Sequence, residues 1–289
     1  MDLLIAHTPE RIIPGNLIYE MSMNDRIVRG INERSSKMTA DLYRRFVKGN
    51  IHITDSVTAE VVKPMENTFR EINIAYANEL AMIVEKLKFN LWEAIELANS
   101  HPRVNILKPG PGVGVHRIPV DPWLIVEKAP VESKLIQTAR KVNDEVSDRI
   151  INHIEILVES KKDPLISLLG LSFKGNTEDY RDSPSLEILD KMSKRGYRVK
   201  AFDPYIKQSI NGKVESITEA LRGSDLMVLL TDHSVFQDME PETVSKLLRT
   251  KTIFDTRNLL SHLKWELHSV KYVKIGSPEL GGDYGFQTV

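Results

Sequence analysis

The chain has 289 residues, 41% of them apolar, so it can bury more than one hydrophobic core. Its 39 Lys and Arg residues balance 40 Asp and Glu residues, and a net charge of -1 gives no field to attract nucleic acid or an anionic membrane. There is no cysteine, which excludes disulfides, thiolate metal sites and thiol nucleophiles. No apolar run approaches the roughly 20 residues of a membrane span, and no signal-peptide pattern begins the chain. We expect a cytoplasmic, multidomain protein without a metal site, because the eight histidines lack ligand spacing.

The first part of the chain predicts a strand and then a long helix. Residues 1–15 are typical of a short apolar strand followed by a loop with Pro and Gly, as in a domain entered midway. From Glu60 to about Asn99, apolar residues recur at spacings of three and four, which predicts one long amphipathic helix. Pro64 lies in this segment, so the helix either begins near Lys63 or is kinked at the proline. The apolar stripe needs a partner, either a second copy or the chain's own helices.

The second part of the chain predicts a parallel sheet. Residues 121–130 are expected to form a Pro-bounded connector, and residues 133–160 a second long helix. Beyond them, short apolar runs alternate with helical patterns, which is typical of a sheet with crossover helices. The predicted fold class is α/β, with a central helical domain followed by a Rossmann-like parallel-sheet domain. The expected strands are residues 165–169, 197–202, 226–231, 252–254 and 272–275, with a helix at 185–195.

Two groups of residues could carry chemistry on the long helix and in the glycine turns. Lys63 and Asn67 are four residues apart, so they lie on the same side of a helix and could hold an oxyanion; a surface Lys-Asn pair is the alternative. The glycines at 110–114 follow no strand and lead into no helix, so they are not an NAD fingerprint. The turn at 170–175 follows a strand, and it suits a phosphate or a sugar better than a whole dinucleotide.

Polar side chains are expected to gather at one edge of the sheet. Lys174 and Arg181 follow the first strand of the sheet, and Arg257 follows the strand at 252–254. Ligands of open α/β sheets bind at the carboxyl ends of the strands, where a guanidinium can grip a diphosphate with two hydrogen bonds. Each residue could equally be structural, but their convergence predicts a shared anion site.

Five segments together resemble a known family. They are HTPERIIPG at 7–15, ENTFREINIAYANE at 66–79, HPRVNILKPGPGVG at 101–114, IPVDPW at 118–123 and GLSFKGNTEDYRDSPS at 170–185. In this order they resemble the UDP-glucose/GDP-mannose dehydrogenase family, and most closely its UDP-N-acetyl-D-mannosamine dehydrogenase branch. The resemblance covers nearly the whole chain. It implies a division into residues 1–130, an inter-domain remnant with the central dimerisation domain; 131–160, a connecting helix; and 161–289, the UDP-sugar-binding domain.

The resemblance implies a reaction and roles for particular residues. The family oxidises a sugar C6 alcohol to a carboxylate in two NAD-dependent oxidations, through a thiohemiacetal and a thioester on a cysteine. By motif position, Glu10 would assist acid-base and hydrolytic steps, Lys63 and Asn67 would steady the oxygen anion, and Asp121 would position or deprotonate water. The implied substrate contacts are Arg103, which would reach the UDP-sugar of the other subunit of a homodimer, and Phe173, Lys174 and Arg257 at the UDP moiety, with Arg181 nearby.

Three departures separate the chain from this family. The family's N-terminal Rossmann domain, with its glycine fingerprint for NAD, is absent from the sequence. Arg117 stands where the family carries its cysteine, and a guanidinium is neither a nucleophile nor a general base. Val115 also adds a side chain where glycine would let the loop bend. We therefore expect the fold and the UDP-sugar site to be retained, and the chain alone to be inactive.

A second hypothesis is a non-catalytic UDP-sugar-binding or dimerisation module that regulates an intact paralogue. The retention of Lys174, Arg181 and Arg257 beside the loss of the nucleophile favours this hypothesis. The sequence leaves open which UDP-sugar is bound and whether a separate chain supplies NAD binding. It also leaves open whether the truncation and Arg117 are natural, decayed or engineered.

Overall fold

The chain is an α/β protein, which confirms the predicted fold class. Its structure, a computed structural model, describes residues 3–12, 16–114, 118–260 and 262–277. It folds into two compact units, the first of Met1–Arg70 with Val120–Ser133 and the second of Glu71–Pro119 with Lys134–Val289. Each unit is therefore assembled from separated stretches of sequence. The three-part division at 130 and 160 stays a prediction.

The first unit contains a three-stranded sheet. Its central strand pairs antiparallel with the first strand and parallel with the third. The helix between the two parallel strands is capped by Asn32, whose Oδ1 accepts a hydrogen bond from Ser35 N at 2.8 Å. This strand-helix-strand unit was not predicted, because polar residues interrupt both of its parallel strands and leave no continuous apolar run. The elements are β1 (Ala6–His7), α1 (Leu17–Met23), β2 (Arg26–Gly30), α2 (Glu33–Tyr43) and β3 (Ile51–Ile53).

The long predicted helix is two helices, so the prediction that it reaches Asn99 is wrong. Helix α3 (Ser56–Leu87) has 32 residues, and a new helix, α4 (Leu91–Asn99), follows it. Lys88 has φ 57°, a left-handed conformation that a helix cannot continue through. Asn90 then caps α4 with its side chain. The end of α3 at Lys88 and the start of α4 after Asn90 do not show in the sequence, because the apolar residues keep their helical spacing across both positions.

Two further helix expectations are decided by the structure. Pro64 lies inside α3, well after its first turn, so the helix does not begin near Lys63. Helix α5 (Asp121–Lys128) occupies most of the segment that was predicted to be a connector, so that expectation is wrong. Its proline sits at the helix start, where the missing N–H has no helical partner to lose. The second long helix is confirmed as α6 (Lys134–Val158).

The second unit contains a five-stranded parallel sheet. Its elements after α6 are β4 (Leu165–Leu169), α7 (Pro184–Lys194), β5 (Arg198–Phe202), α8 (Ile217–Leu221), β6 (Leu226–Leu229), α9 (Pro241–Leu247), β7 (Thr252–Asp255), α10 (His262–Glu266) and β8 (Lys271–Lys274). All five predicted strands are present, each within two residues of its predicted bounds. The strand order is β5-β4-β6-β7-β8, and every pair is parallel.

Helices cover both faces of this sheet. In β6, Leu226 and Val228 belong to one hydrophobic cluster, whereas Met227 and Leu229 belong to another, because alternate side chains of a strand point to opposite faces. The chain leaves β4 in one direction along the sheet to reach β5 and then crosses to β6 on the other side of β4. This reversal makes the carboxyl ends of β4 and β6 the switch point, where doubly wound sheets bind ligands.

Two kinds of structure are absent from the described residues. None of the described helices is long and apolar enough to cross a membrane. Within residues 3–12, 16–114, 118–260 and 262–277, no three His, Asp or Glu side chains are grouped as metal ligands would be.

Candidate functional site

A glycine turn lies at the switch point, next to the segment that follows β6. The turn, Gly170–Gly175, comes directly after β4. Gly170 has φ +89°, and a Cβ at this position would collide with Thr231. Only glycine fits this turn, since a side chain would be both strained and in collision. The two segments after β4 and β6 are therefore packed against each other.

Asp203, which directly follows β5, holds the glycine turn in place. Its Oδ2 accepts hydrogen bonds from Leu171 N at 2.7 Å and Ser172 N at 3.0 Å, and lies 3.0 Å from Nε2 of His233. Asn176 N donates to Nδ1 of His233 at 2.9 Å, so the ring carries its hydrogen on Nε2 and donates it to Asp203. Burial raises the pKa of Asp203, but the hydrogen bonds from His233 and the Leu171 amide outweigh burial and hold the pKa below its usual value.

Arg257 is held between the glycine turn and a second loop. Its Nη2 donates to Oδ2 of Asp232 at 3.1 Å, and Oδ1 of Asp232 accepts from Gly175 N at 3.1 Å. On the other side, a Cβ added at Gly110 would collide with Nη1 of Arg257. Burial raises the pKa of Asp232, but the nearby Arg257 guanidinium outweighs it and keeps the pKa below the usual range. The guanidinium thus has one edge bonded to a carboxylate and the other against backbone.

The second loop is the segment HPRVNILKPGPGVG, and its glycines make the close contacts. A Cβ at Gly114 would lie 2.6 Å from Cβ of Phe173 and 2.8 Å from Cδ of Pro184. Gly110 N donates a hydrogen bond to Oδ1 of Asn78 at 3.1 Å. The loop therefore packs on the edge that holds the glycine turn. Arg117, three residues further along the chain, lies outside the described residues.

A cavity of about 960 Å³ adjoins this edge. Asn258, the neighbour of Arg257, is one of its lining residues, and Lys108 and Lys274 bring positive charge to it. Trp92 provides an aromatic wall and donates its Nε1 hydrogen to Ile275 O at 2.8 Å. Most of the lining side chains are polar, and Glu93 and Glu96 balance the charge of the two lysines, so it is the volume of the cavity that suits a ligand of nucleotide size.

The other predicted substrate residues are exposed. Lys174 projects from the glycine turn. Arg181 donates from Nε and Nη2 to the two carboxylate oxygens of Asp179, at 2.9 and 2.7 Å, so its guanidinium is already paired with a carboxylate. Arg103 lies in the second loop, and its backbone N donates to Nδ1 of His101 at 3.3 Å. Their roles stay predictions.

Asn67 and Asp121 meet in the first unit. Nδ2 of Asn67 donates to Oδ2 of Asp121, and Arg70 donates to Oδ1 of the same asparagine. Asn67 and Asp121 are both buried. Lys63 is half-buried one turn earlier on α3, as the spacing of four predicted. The oxyanion and water roles of these three residues stay predictions.

Glu10, the predicted acid-base residue, is also in the first unit. It is exposed, and its Oε1 accepts from Ile12 N at 2.7 Å and lies 3.9 Å from Nη1 of Arg26. An exposed carboxylate can exchange protons with water, which suits the predicted role without establishing it. Its part in any acid-base step stays a prediction.

Two glycine-containing turns between a strand and a helix in the described part of the chain do not fit NAD. The turn from β2 to α2 has one glycine, Gly30, whose N–H donates to Oγ of Ser36 at 2.9 Å. In the glycine turn after β4, the amides are bonded to Asp203, Asp232 and His233. A dinucleotide pyrophosphate needs free amides at such a turn. We therefore assign no step of NAD chemistry to these residues.

The sequence pattern did not reveal Asp203, Asp232 and His233 as parts of the site. All three follow the carboxyl ends of β5 or β6 within a few residues. The position of a polar residue just beyond a predicted strand is the signal that would have found them. They were passed over because their partners in the site are 25 or more residues away in sequence.

A doubly wound sheet with a guanidinium held at its switch edge defines a nucleotide-binding type of α/β protein. Within that class, the chain belongs to the UDP-glucose/GDP-mannose dehydrogenase family, as the resemblance indicated. Residues 57–145 match the central domain of this family, and residues 167–262 match its UDP binding domain. The glycine turn and Arg257 both lie within the second match.

Named relatives extend the match to most of the chain. The UDP-N-acetyl-D-mannosamine dehydrogenase of Methanocaldococcus jannaschii is 43% identical over 278 residues, which is 95% of this chain and 64% of the relative. The NDP-N-acetyl-D-galactosaminuronic acid dehydrogenase of Ralstonia solanacearum is 43% identical over 90% of this chain and 62% of its own length. The solved structure of UDP-D-ManNAc dehydrogenase from Pyrococcus horikoshii superposes with a TM-score of 0.88 at 38% identity, over 95% of this chain and 65% of that one. The chain thus spans less than two thirds of these relatives.

Proposed function

We propose that the chain is the central and C-terminal portion of an NAD-dependent UDP-N-acetyl-D-mannosamine 6-dehydrogenase, that it binds a UDP-sugar, and that it does not oxidise the sugar as a lone chain. The observation that carries the binding part is the position of Arg257 at the switch edge. Asp232 and Gly110 hold its guanidinium, its neighbour Asn258 lines the cavity, and a diphosphate is the anion that such a fork grips best. Lys174 and Lys108 would add positive charge to the diphosphate site.

The choice of sugar rests on the relatives. The matched relatives named for UDP-N-acetyl-D-mannosamine are 43% and 44% identical to this chain. Relatives named for an NDP-N-acetyl-D-galactosaminuronic acid reach 43%, so identity alone does not separate the two sugars. An N-acetylated sugar is common to both names, and we propose it as the substrate class with the mannosamine derivative first.

The inactivity has two supports. Arg117 occupies the position of the family cysteine, and the rest of the chain has no cysteine, so no thiolate can form the thiohemiacetal. The described glycine turns do not fit NAD, so we propose that the residues that bind NAD lie in the part of the relatives that this sequence does not span. NAD, when bound there, would accept hydride from the sugar.

We also propose a homodimer through α3. Of the exposed large apolar side chains on this helix, five lie on one side, at spacings of four and seven: Met65, Phe69, Tyr76, Ile83 and Leu87. A row of apolar side chains in water favours association with a matching row. Sedimentation of the wild type should show a dimer that Ile83→Glu dissociates. Leu97→Glu, an exposed position on α4, is the control, and a monomeric wild type would contradict the proposal.

A binding titration tests the UDP site. The wild type should bind UDP with a micromolar Kd in calorimetry, and Arg257→Ala should weaken it by about tenfold or more, because a charged hydrogen bond to phosphate is lost. Arg249→Ala is the matched control. Arg249 also pairs with an aspartate, Asp225, but it precedes β7, at the opposite edge of the sheet. Absence of heat with the wild type, or equal losses in both variants, would refute the site.

An activity assay tests the second part of the proposal. Purified chain with NAD and UDP-N-acetyl-D-mannosamine should form no NADH, since both the thiolate and the NAD-binding residues are missing from it. Measurable turnover would overturn the inactivity. The alternative, a non-catalytic module that regulates an intact relative, is favoured by UDP binding without turnover. Co-purification of the chain with an intact relative, and a change in the activity of that relative, would establish it.

A further inference from the structure

A buried chain of amide and carboxylate groups leads to the second loop. Nδ2 of Asn143, on α6, donates to Oε1 of Glu71 at 2.8 Å and to the Glu71 backbone oxygen at 3.1 Å. Oδ1 of Asn143 accepts from Nδ2 of Asn78 at 3.0 Å. Oδ1 of Asn78 then accepts from Gly110 N at 3.1 Å. All of these side chains are buried, so Asn78 is fixed in orientation by Asn143 and can serve only one backbone amide.

That amide belongs to the residue that touches Arg257. Gly110 is buried, and a Cβ on it would collide with Nη1 of the guanidinium, so with glycine here the loop backbone lies directly against Arg257. Gly110 does not have a positive φ, so a side chain at this position would act mainly by displacing the guanidinium. Asp232 holds the other edge of the guanidinium through Nη2. The direction of Arg257 thus depends on where Asn78 holds the Gly110 backbone.

We infer that Asn78 is a positioning residue for the diphosphate site: through the Gly110 amide it fixes the second loop against Nη1 of Arg257 and so sets the direction in which the guanidinium faces a ligand. This inference rests on the proposed function, because it takes Arg257 to be the group that binds the diphosphate. Without the Asn78 bond, the loop can move away, and the guanidinium can rotate about Asp232 into a range of directions. A preorganised donor binds an anion more tightly than one that must be ordered on binding.

A double-mutant cycle with UDP as the ligand separates this role from a general structural one. Asn78→Ala should weaken UDP binding by about tenfold, whereas in an Arg257→Ala background the same change should alter Kd by less than about twofold. Gly110→Ala, which displaces Nη1 directly, should behave in the same way. Asn32→Ala is the matched control: it also removes an amide oxygen that accepts from a backbone N–H, but in the first unit, and it should leave Kd unchanged.

The outcomes are distinguishable. If the losses from Asn78→Ala and Arg257→Ala multiply, or if Asn78→Ala leaves Kd unchanged, the inference is overturned while the UDP site stands. If the wild type binds no UDP, the proposed function fails, and NMR of the Arg257 Nε–H then decides the inference. The chemical shift and the hydrogen-exchange rate of the Arg257 Nε–H should change in Asn78→Ala and stay the same in Asn32→Ala. An unchanged Arg257 signal in Asn78→Ala overturns the positioning role.

Discussion

Nδ2 of Asn67 donates a hydrogen bond to Oδ2 of Asp121, and this bond joins α3 to the first residue of α5 within the first unit. The two residues are 54 positions apart in the sequence. Asp121 also lies in the first turn of α5, where the helix dipole favours a negative charge. The buried carboxylate is therefore stabilised by an amide donor on one side and by a helix N-terminus on the other.

Replacing Asn67 by Leu should destabilise the protein by about 1–3 kcal/mol, because the Asp121 carboxylate would keep its burial and lose its donor. Urea unfolding at neutral pH measures the change. Asn24→Ala is the control in the same unit, since its Nδ2 also donates to a carboxylate, that of Glu20, but at 3.4 Å and outside the core. It should cost less than about 0.5 kcal/mol. Equal effects of the two substitutions would contradict this view of Asn67.

Gly170→Ala should be strongly destabilising, by about 3 kcal/mol or more, because it combines a left-handed backbone with a collision at Thr231. Gly196→Ala isolates the backbone effect. Gly196 has φ +85°, but a Cβ there would meet nothing within 4 Å, so about 1 kcal/mol is expected. Thermal unfolding of the two variants gives the comparison. Similar melting temperatures would mean that the contact between Gly170 and Thr231 is not as tight as described.

Arg140→Met should cost about 3–5 kcal/mol, since it leaves the buried Glu71 carboxylate without its ion pair. Nη1 of Arg140 lies 2.6 Å from Oε1 of Glu71, which is 0% exposed. Burial raises the pKa of Glu71 despite this partner, so loss of the guanidinium should raise that pKa further and make the variant lose stability as the pH rises. Lys194→Met, which breaks the exposed pair with Asp190, should change the free energy of unfolding by less than about 0.5 kcal/mol. Urea unfolding of both variants at two pH values tests the contrast.

Acid should weaken the glycine turn through Asp203. The pKa of this carboxyl is lower in the folded protein than its ordinary value of 3.8, so the folded state holds fewer protons than the unfolded chain between the two values. The resulting stabilisation is complete above 3.8 and is lost as the pH falls through the lower, folded pKa. Asp203→Asn should be less stable at neutral pH and should lose less stability on acidification. A parallel pH dependence in variant and wild type, followed by urea unfolding, would show that Asp203 is not responsible.

The sheet of the second unit could be predicted from the sequence because its central strands β4, β6 and β7 are buried on both faces. Runs such as Leu165–Leu169 are almost entirely apolar and end at a glycine or a polar residue, so their bounds are visible. The first unit could not be predicted in the same way. Its strand β3 has three residues, two of them exposed, and α1 has no buried residue, so neither carries a pattern.

The candidate site also contains some residues that could be predicted from the sequence and others that could not. Arg257 was predicted because it follows a visible strand, and its place at the switch edge agrees with the sequence-based position. Its partners Asp232 and Gly110 could not be predicted, because the contacts join segments 25 residues apart in one case and far more in the other. The end of α3 at Lys88 was also missed, since a positive φ in a lysine leaves no mark in the sequence.

The division into two compact units has consequences for cleavage by proteases and for folding during synthesis. The chain passes from one unit to the other between Arg70 and Glu71, returns at Val120, and leaves again after Ser133. A protease that nicks a single bond would therefore release neither unit as one continuous polypeptide. During synthesis, the first unit also stays incomplete until its last stretch has left the ribosome. By that time Glu71–Pro119 has already emerged, although the rest of the second unit has not yet been synthesised.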